Sequence, residues 1–184
     1  MKPFSYPGLT HTKLDNIRTL TLEWGNAAGI FLSIKPLMRY LAEVHPPMQD
    51  KSAELIKADR TSKNNIYINY WDCNPKYLIG AIKAIFGEDL SSHALTQLAQ
   101  YPPIRDKFLH GVFIELMEVL GIEPTSRVQL RIDKWQRLEP GEIYESLWSM
   151  KKNDVFTRLR RYANDVTTTL NDLINKTDTD RTKM

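Results

Sequence analysis

Four segments of the chain alternate between apolar and polar residues with a period of two, which is typical of half-buried strands. Residues 17–24 and 29–34 alternate on either side of a Gly-Asn pair, which predicts a β-hairpin. Residues 66–71 predict a third strand, because isoleucine, tyrosine and tryptophan favour a pleated surface. Residues 127–133 alternate as well and predict a fourth strand.

The N-terminal hairpin has one alternative, a single helix from residue 27 to residue 44, since alanine and leucine tolerate both states. Pro36 argues against that helix, because an internal proline removes a hydrogen bond and clashes with the preceding turn. Pro36 fits better as the first residue of a helix that runs to about Val44. We therefore favour the hairpin, followed by this shorter helix.

Apolar residues spaced three and four apart predict helices in the middle of the chain. Residues 48–59 predict a short helix, and Pro75 begins another that ends at Gly87 as a left-handed terminator. Ser91 or Ser92 caps a helix that ends at residue 100. The Pro-Pro pair at 102–103 then begins a buried helix that ends before Gly121.

The C-terminal helix has the clearest apolar face, and Asn153 is its predicted cap. A shorter helix over residues 141–150 precedes it. Residues 176–184 are polar and are predicted to fray as a tail. The face of the C-terminal helix consists of Val155, Phe156, Leu159, Tyr162, Ala163, Val166, Leu170, Leu173 and Ile174.

These elements predict one α+β domain over residues 1–175, in which a small, mostly antiparallel sheet of about four strands is covered by six or seven helices. The single cysteine, Cys73, excludes an intrachain disulfide and favours a reducing compartment, so we expect a cytoplasmic protein. The longest apolar run, residues 27–32, is far shorter than a membrane span requires, so we expect no membrane partner.

Motifs for catalysis and cofactor binding give little support to an enzyme. The glycines do not form a phosphate-binding loop, and the four histidines lack metal-ligand spacing. We therefore predict no metal site, no cofactor and no catalytic residue. A site assembled from distant residues such as Cys73, His110 and Glu115 is the one enzymatic alternative, and no spacing supports it.

The fourth predicted strand carries the most informative surface. A period of two places Arg127, Arg131, Trp135 and Arg137 on one face, opposite the apolar residues. Guanidinium groups bind phosphates or base edges, and an indole can stack on an unpaired base. These residues are therefore candidates for binding nucleic acid.

The surrounding sequence strengthens that interpretation. Residues 127–161 contain nine lysines and arginines against five acidic residues, whereas the whole chain has a net charge of only +3. Such an asymmetry is typical of an electrostatic footprint for nucleic acid, although helical ion pairs could also explain it. The further candidate residues are Lys151, Lys152, Arg158, Arg160 and Arg161.

Two function hypotheses follow from these residues. The first is a non-enzymatic nucleic-acid-binding or regulatory protein that uses the basic C-terminal third. The second is a protein-interaction subunit, such as an adaptor, an inhibitor or a component of a larger complex, without nucleic-acid contact. Its candidate interface residues are Tyr67, Tyr70, Trp71, Trp148 and the C-terminal tail, residues 176–184.

Overall fold

The computed structural model describes residues 11–59, 75–110, 148 and 150–184. Of these residues, 93% are helical and none belongs to a strand. The predicted α+β fold is therefore wrong for the part of the chain that the structure describes. The third and fourth predicted strands, residues 66–71 and 127–133, lie outside the described residues.

The described residues form helices, and the chain is divided into two compact units whose boundaries fall within three of these helices. The first unit comprises Met1–Gly29 and Pro103–Arg161, and the second comprises Ile30–Pro102 and Tyr162–Met184. None of the described helices is both long enough and apolar enough to cross a bilayer. The helices are α1 (His11–Leu32), α2 (Ile34–Val44), α3 (Pro46–Asp59), α4 (Pro75–Phe86), α5 (Ser92–His110) and α6 (Val155–Thr182).

Helix α1 replaces the predicted hairpin. Its buried residues include Leu20, Trp24 and Ala27, which follow a helical spacing. Leu22, which the hairpin would place on the same side as Leu20 and Trp24, is 69% exposed. The prediction was wrong because a short T-L-T-L-E-W segment satisfies the strand period and the helical period equally well. Ser33 then separates α1 from α2, and both its backbone N–H and its hydroxyl donate to the carbonyl of Ile30.

Helices α2 and α3 confirm the predicted helices over residues 36–44 and 48–59, with earlier starts. Pro36 lies in the first turn of α2, where the missing N–H would have no helical partner. Pro46 and Pro47 likewise occupy the first turn of α3. The prolines therefore begin these helices, and His45 alone connects them.

Helix α4 confirms the predicted helix from Pro75, but its end differs from the prediction. Leu78, Ile79 and Ile82 are buried, as the apolar stripe requires. Gly87 does not adopt a left-handed conformation and instead begins a turn of 3-10 helix, Gly87–Asp89. The α-helix therefore ends in a tighter 3-10 turn and not at a left-handed glycine.

Helix α5 joins two helices that the sequence predicted separately. The Ser91 hydroxyl accepts a hydrogen bond from the backbone N–H of Ala94 at 3.1 Å, which confirms the predicted cap. The helix continues through the Pro-Pro pair at 102–103, so the predicted break was wrong. Tyr101 and Ile104 flank the prolines and are almost fully buried. Tertiary burial on both sides therefore offsets the lost backbone hydrogen bonds.

The first unit has a cluster of three aromatic rings from three helices. Trp24 of α1 lies with its ring centroid 5.4 Å from Phe108 of α5 and 5.8 Å from Phe156 of α6. All three side chains are buried. Tilted rings at such distances favour the edge-to-face attraction of aromatic quadrupoles. These three rings form part of the buried core of the first unit.

The second unit has an aromatic cluster built from the same three helices. Phe31 of α1 lies with its ring centroid 5.4 Å from Tyr101 of α5 and 6.4 Å from Tyr162 of α6. The Tyr162 hydroxyl donates to the carbonyl of Gln97 at 2.7 Å. Burial raises the pKa of Tyr162 well above its ordinary value. The hydroxyl is thus held neutral within the core.

Helices α2, α3 and α4 pack together in the second unit. A Cβ atom added at Gly80 of α4 would lie 2.9 Å from Cδ1 of Leu55, so glycine permits the close approach of α3. The ring of His45 lies 5.0 Å from that of Phe86, and burial lowers the pKa of His45.

An exposed group of polar contacts joins the C-terminal end of α3 to the N-terminal turn of α4. The Asp59 carboxylate accepts hydrogen bonds from Lys76 at 2.5 Å and from the Tyr77 hydroxyl at 2.7 Å. The hydrogen bond from Lys76 is the largest cause of a lowered pKa of Asp59, and the hydrogen bond from Tyr77 lowers it further. The Lys76 ammonium also lies 4.8 Å from the centroid of the Tyr77 ring.

Helix α6 confirms the predicted C-terminal helix, because all nine residues of its predicted apolar face are buried. The helix continues to Thr182, beyond the start of the predicted polar tail at residue 176. Lys176 pairs with Asp89 at 2.7 Å, and the buried Thr177 hydroxyl donates to the carbonyl of Leu173. The single domain over residues 1–175 stays a prediction.

Candidate nucleic-acid interface

Five of the nine predicted site residues lie in the described part of the first unit, before and after a turn. Lys151 and Lys152 precede the turn at Asn153 and Asp154, and three arginines follow it in α6. All five side chains are exposed. We call residues 151–161 the basic segment; its cations are Lys151, Lys152, Arg158, Arg160 and Arg161.

The turn inside the basic segment depends on an unusual backbone conformation. Asp154 has a φ of 58°, in the left-handed region that few non-glycine residues adopt. Its N–H donates to the carbonyl of Lys151, and its own carbonyl accepts from the N–H of Arg158 at 3.0 Å. Asp154 therefore occupies the position that precedes the first helical residue, which the sequence analysis assigned to Asn153.

The arginines of α6 lie on both flanks of its buried face. Arg158 and Arg161 are three residues apart and are therefore neighbours on the helix surface. Arg160 emerges on the opposite flank of the stripe that contains the buried Val155 and Leu159. The cations are thus spread around the exposed side of the helix.

Lys151 forms an ion pair that the sequence could not predict. Its ammonium lies 3.1 Å from the Glu23 carboxylate of α1, a residue far away along the chain. Both side chains are partly exposed, so the pair contributes no more than about 1 kcal/mol. The contact fixes Lys151 near α1 and places one acidic group beside the basic segment.

Trp148 adds an aromatic ring just before the basic segment. It lies in a helical conformation, as do residues 150–152, and its side chain is 45% exposed. Lys151 and Lys152 follow Trp148 by three and four residues, which is the spacing of neighbours on one helical face. From the sequence pattern, Trp135 was the predicted aromatic residue of the site. The W-x-x-K-K spacing could have indicated Trp148 as well.

The other four predicted site residues, Arg127, Arg131, Trp135 and Arg137, lie outside the described residues. Their common location on one strand face therefore stays a prediction.

The described residues do not assemble a metal site. Among them, no group of three histidine, cysteine, aspartate or glutamate side chains is placed to hold a metal ion. His110 is the last residue of α5. Cys73 and Glu115, which the enzymatic alternative would use, lie outside the described residues.

A comparison of the chain with protein-family models, with curated proteins and with solved structures finds no match.

Proposed function

We propose that the protein is a non-enzymatic nucleic-acid-binding or regulatory protein, and that it binds phosphates of nucleic acid through the basic segment. The observation that carries this proposal is the exposure of all five cations between Lys151 and Arg161, where Asp154 is the only acidic residue. Lysine and arginine side chains bind phosphate oxygens and release counterions from the nucleic acid. Such binding requires no sequence recognition.

The charge of the two units supports this location. The first unit contains 14 lysines and arginines against 11 acidic residues, whereas the second contains 11 of each. The whole positive excess of the chain therefore belongs to the unit that contains the basic segment. A polyanion would be attracted to the first unit over distances of about one Debye length. The proposal includes a cytoplasmic location, which the single Cys73 supports.

Fluorescence anisotropy with labelled DNA and RNA tests the proposal. We expect binding that weakens steeply between about 50 and 200 mM salt. Replacing Lys152, Arg160 and Arg161 with glutamine keeps the Lys151–Glu23 ion pair and should reduce the salt slope by about 2 to 3.

The matched control is a triple glutamine variant at Lys57, Lys83 and Lys183, which are exposed lysines of the second unit. It removes the same charge and should leave the salt slope unchanged. Absence of salt-sensitive binding, or an equal loss in both triple variants, would contradict the proposal.

Exposed apolar side chains of the first unit favour a second candidate function, a protein-interaction subunit. Leu22 is 69% exposed and Trp148 is 45% exposed, and aromatic side chains often anchor protein interfaces. A pull-down from native lysate, with and without nuclease, separates the two functions. A partner protein that is retained at fixed stoichiometry after nuclease treatment supports the second function, and loss of all bound material supports the first.

A further inference from the structure

The exposure of Trp148 differs from that of the other tryptophan in the described part of the chain. Trp24 is 7% exposed and packs against Phe108 and Phe156, whereas Trp148 is 45% exposed. An indole is large and mostly apolar, and such rings are usually well buried in folded proteins. Trp148 therefore presents apolar area to solvent beside the cations of the basic segment.

Lys151 and Lys152 follow Trp148 at the sequence spacing of helical neighbours. Residues three and four apart on one helix have Cβ atoms about 5–6 Å apart, and Trp148 and residues 150–152 all have a helical conformation. Both lysines are exposed, and Lys151 is held at one side by its ion pair with Glu23. Trp148 and the two lysines thus combine an exposed aromatic side chain with nearby positive charge.

We propose that Trp148, Lys151 and Lys152 form a stacking platform that makes the protein prefer single-stranded nucleic acid to duplex. One base stacks on the Trp148 indole, and the phosphates on either side of that base bind the two lysines. This inference rests on the proposed function and names the form of nucleic acid that the basic segment binds.

The preference for single strands follows from the accessibility of the bases. In a duplex, the faces of the bases are covered by their neighbours, so an exposed indole gains little from them. In a single strand the bases can unstack, and base–aromatic stacking is sequence-tolerant because every base has a flat face. The lysines would contact phosphates in either form. The indole therefore supplies the difference in affinity between the two forms.

The test measures the affinity of the full chain for oligothymidylate, for oligouridylate and for a mixed-sequence DNA duplex. Replacing Trp148 with alanine should weaken binding of the single strands by about 5- to 150-fold. Binding of the duplex should change by less than about 2-fold. The two single strands distinguish DNA from RNA as the source of the stacked base.

Two further variants keep this test informative. Trp148→Phe preserves a flat ring, so it should retain most of the single-strand affinity even if the alanine variant folds poorly. Tyr40→Ala removes an aromatic side chain of similar exposure, 47%, from the second unit, and should not change binding. Single strands should also quench the fluorescence of the wild type more than that of Trp148→Phe.

The outcomes separate this inference from the proposed function. Salt-sensitive binding that is equal for duplex and single strands, or that Trp148→Ala leaves unchanged, overturns the stacking platform and leaves the proposed function standing. Absence of binding to all three probes overturns both. A nuclease-resistant protein partner that Trp148→Ala releases would overturn the platform and assign Trp148 to a protein interface.

Discussion

The same three helices build an aromatic cluster in each of the two units, but the two clusters differ in polarity. In each unit, α1, α5 and α6 contribute one aromatic ring to the core. The first cluster is apolar, whereas the second contains two tyrosines and a buried hydrogen bond to a backbone carbonyl. The clusters are Trp24, Phe108 and Phe156 in the first unit, and Phe31, Tyr101 and Tyr162 in the second.

The surfaces of the two units differ more than their cores do. The first unit carries the net positive charge and the exposed Trp148, whereas the charges of the second unit balance. Two units with similar aromatic clusters in their cores can therefore differ in surface charge and in exposed aromatic area. The two units are therefore distinguished by the charge and exposure of their surface side chains more than by the aromatic packing of their cores.

The largest expected effect comes from removing one ring of either cluster. Phe31→Ala in the second unit and Trp24→Ala in the first should each lower the free energy of unfolding by about 3–5 kcal/mol. Leu22→Ala is the control in the same helix and should cost less than about 0.5 kcal/mol, because Leu22 is 69% exposed. Urea unfolding followed by circular dichroism measures all three. An equal cost for Leu22 and Trp24 would contradict the helical face of α1.

The next effect concerns the turn at Asn153 and Asp154 in the first unit. Asp154→Val forces a β-branched residue into the left-handed conformation and should cost about 1–2 kcal/mol of stability. Asp154→Gly adopts that conformation without strain and should cost at most a few tenths of a kcal/mol. Thermal unfolding of both variants checks this. A glycine variant as unstable as the valine variant would show that the backbone angle is not the cause.

A smaller effect is specific to the second cluster. Tyr162→Phe removes the hydrogen bond to Gln97 and should lower stability by about 0.5–1.5 kcal/mol at neutral pH. The folded state raises the pKa of Tyr162 above its ordinary 10.0, so Tyr162 ionises first in the unfolded chain as the pH rises. The stability that Tyr162 contributes is therefore present below pH 10.0 and lost above it.

Urea unfolding of the wild type and of Tyr162→Phe at a series of pH values measures this dependence. The stabilities of the two proteins should converge as the pH increases beyond the ordinary pKa of tyrosine. Parallel profiles at all pH values would contradict the burial of a neutral hydroxyl.

The smallest effect concerns the acidic neighbour of the basic segment. Glu23→Gln removes the carboxylate that pairs with Lys151 and should strengthen nucleic-acid binding by about 2- to 5-fold at low salt. Glu43→Gln, at an exposed glutamate of the second unit, is the control and should not change the affinity. Anisotropy titrations measure both. Equal gains would mean that total charge, rather than the basic segment, determines the affinity.

The long C-terminal helix was predictable, and the N-terminal hairpin was not, for a physical reason. Over residues 155–174 only the helical period explains the apolar positions, and each predicted position is buried. Over residues 17–34 the apolar residues are too closely spaced to distinguish the two periods. Leu22 and Leu32 are both more than half exposed, which fits the helical period and not the strand period.

Proline was informative only at the beginnings of helices. Pro36, Pro46 and Pro75 each lie in the first turn of a helix, where the sequence rules place them. The Pro-Pro pair at 102–103 lies inside α5, and no local rule predicts that a helix continues through it. The burial of Tyr101 and Ile104 depends on residues distant in the sequence, which explains why the prediction failed there.

The candidate site was predictable in composition but not in arrangement. The excess of lysine and arginine before and within α6 is visible in the sequence, and those side chains are exposed. The ion pair between Glu23 and Lys151 depends on tertiary structure and has no local signature. The left-handed conformation of Asp154 had no unambiguous signal either, since the neighbouring Asn153 tolerates it equally well.

The contacts of Asp59 with Lys76 and Tyr77 join the last residue of α3 to the first turn of α4. One carboxylate thus holds two side chains of the next helix, in addition to the packing of α3 against α4. The pairing of these two helices therefore does not depend on apolar contacts alone.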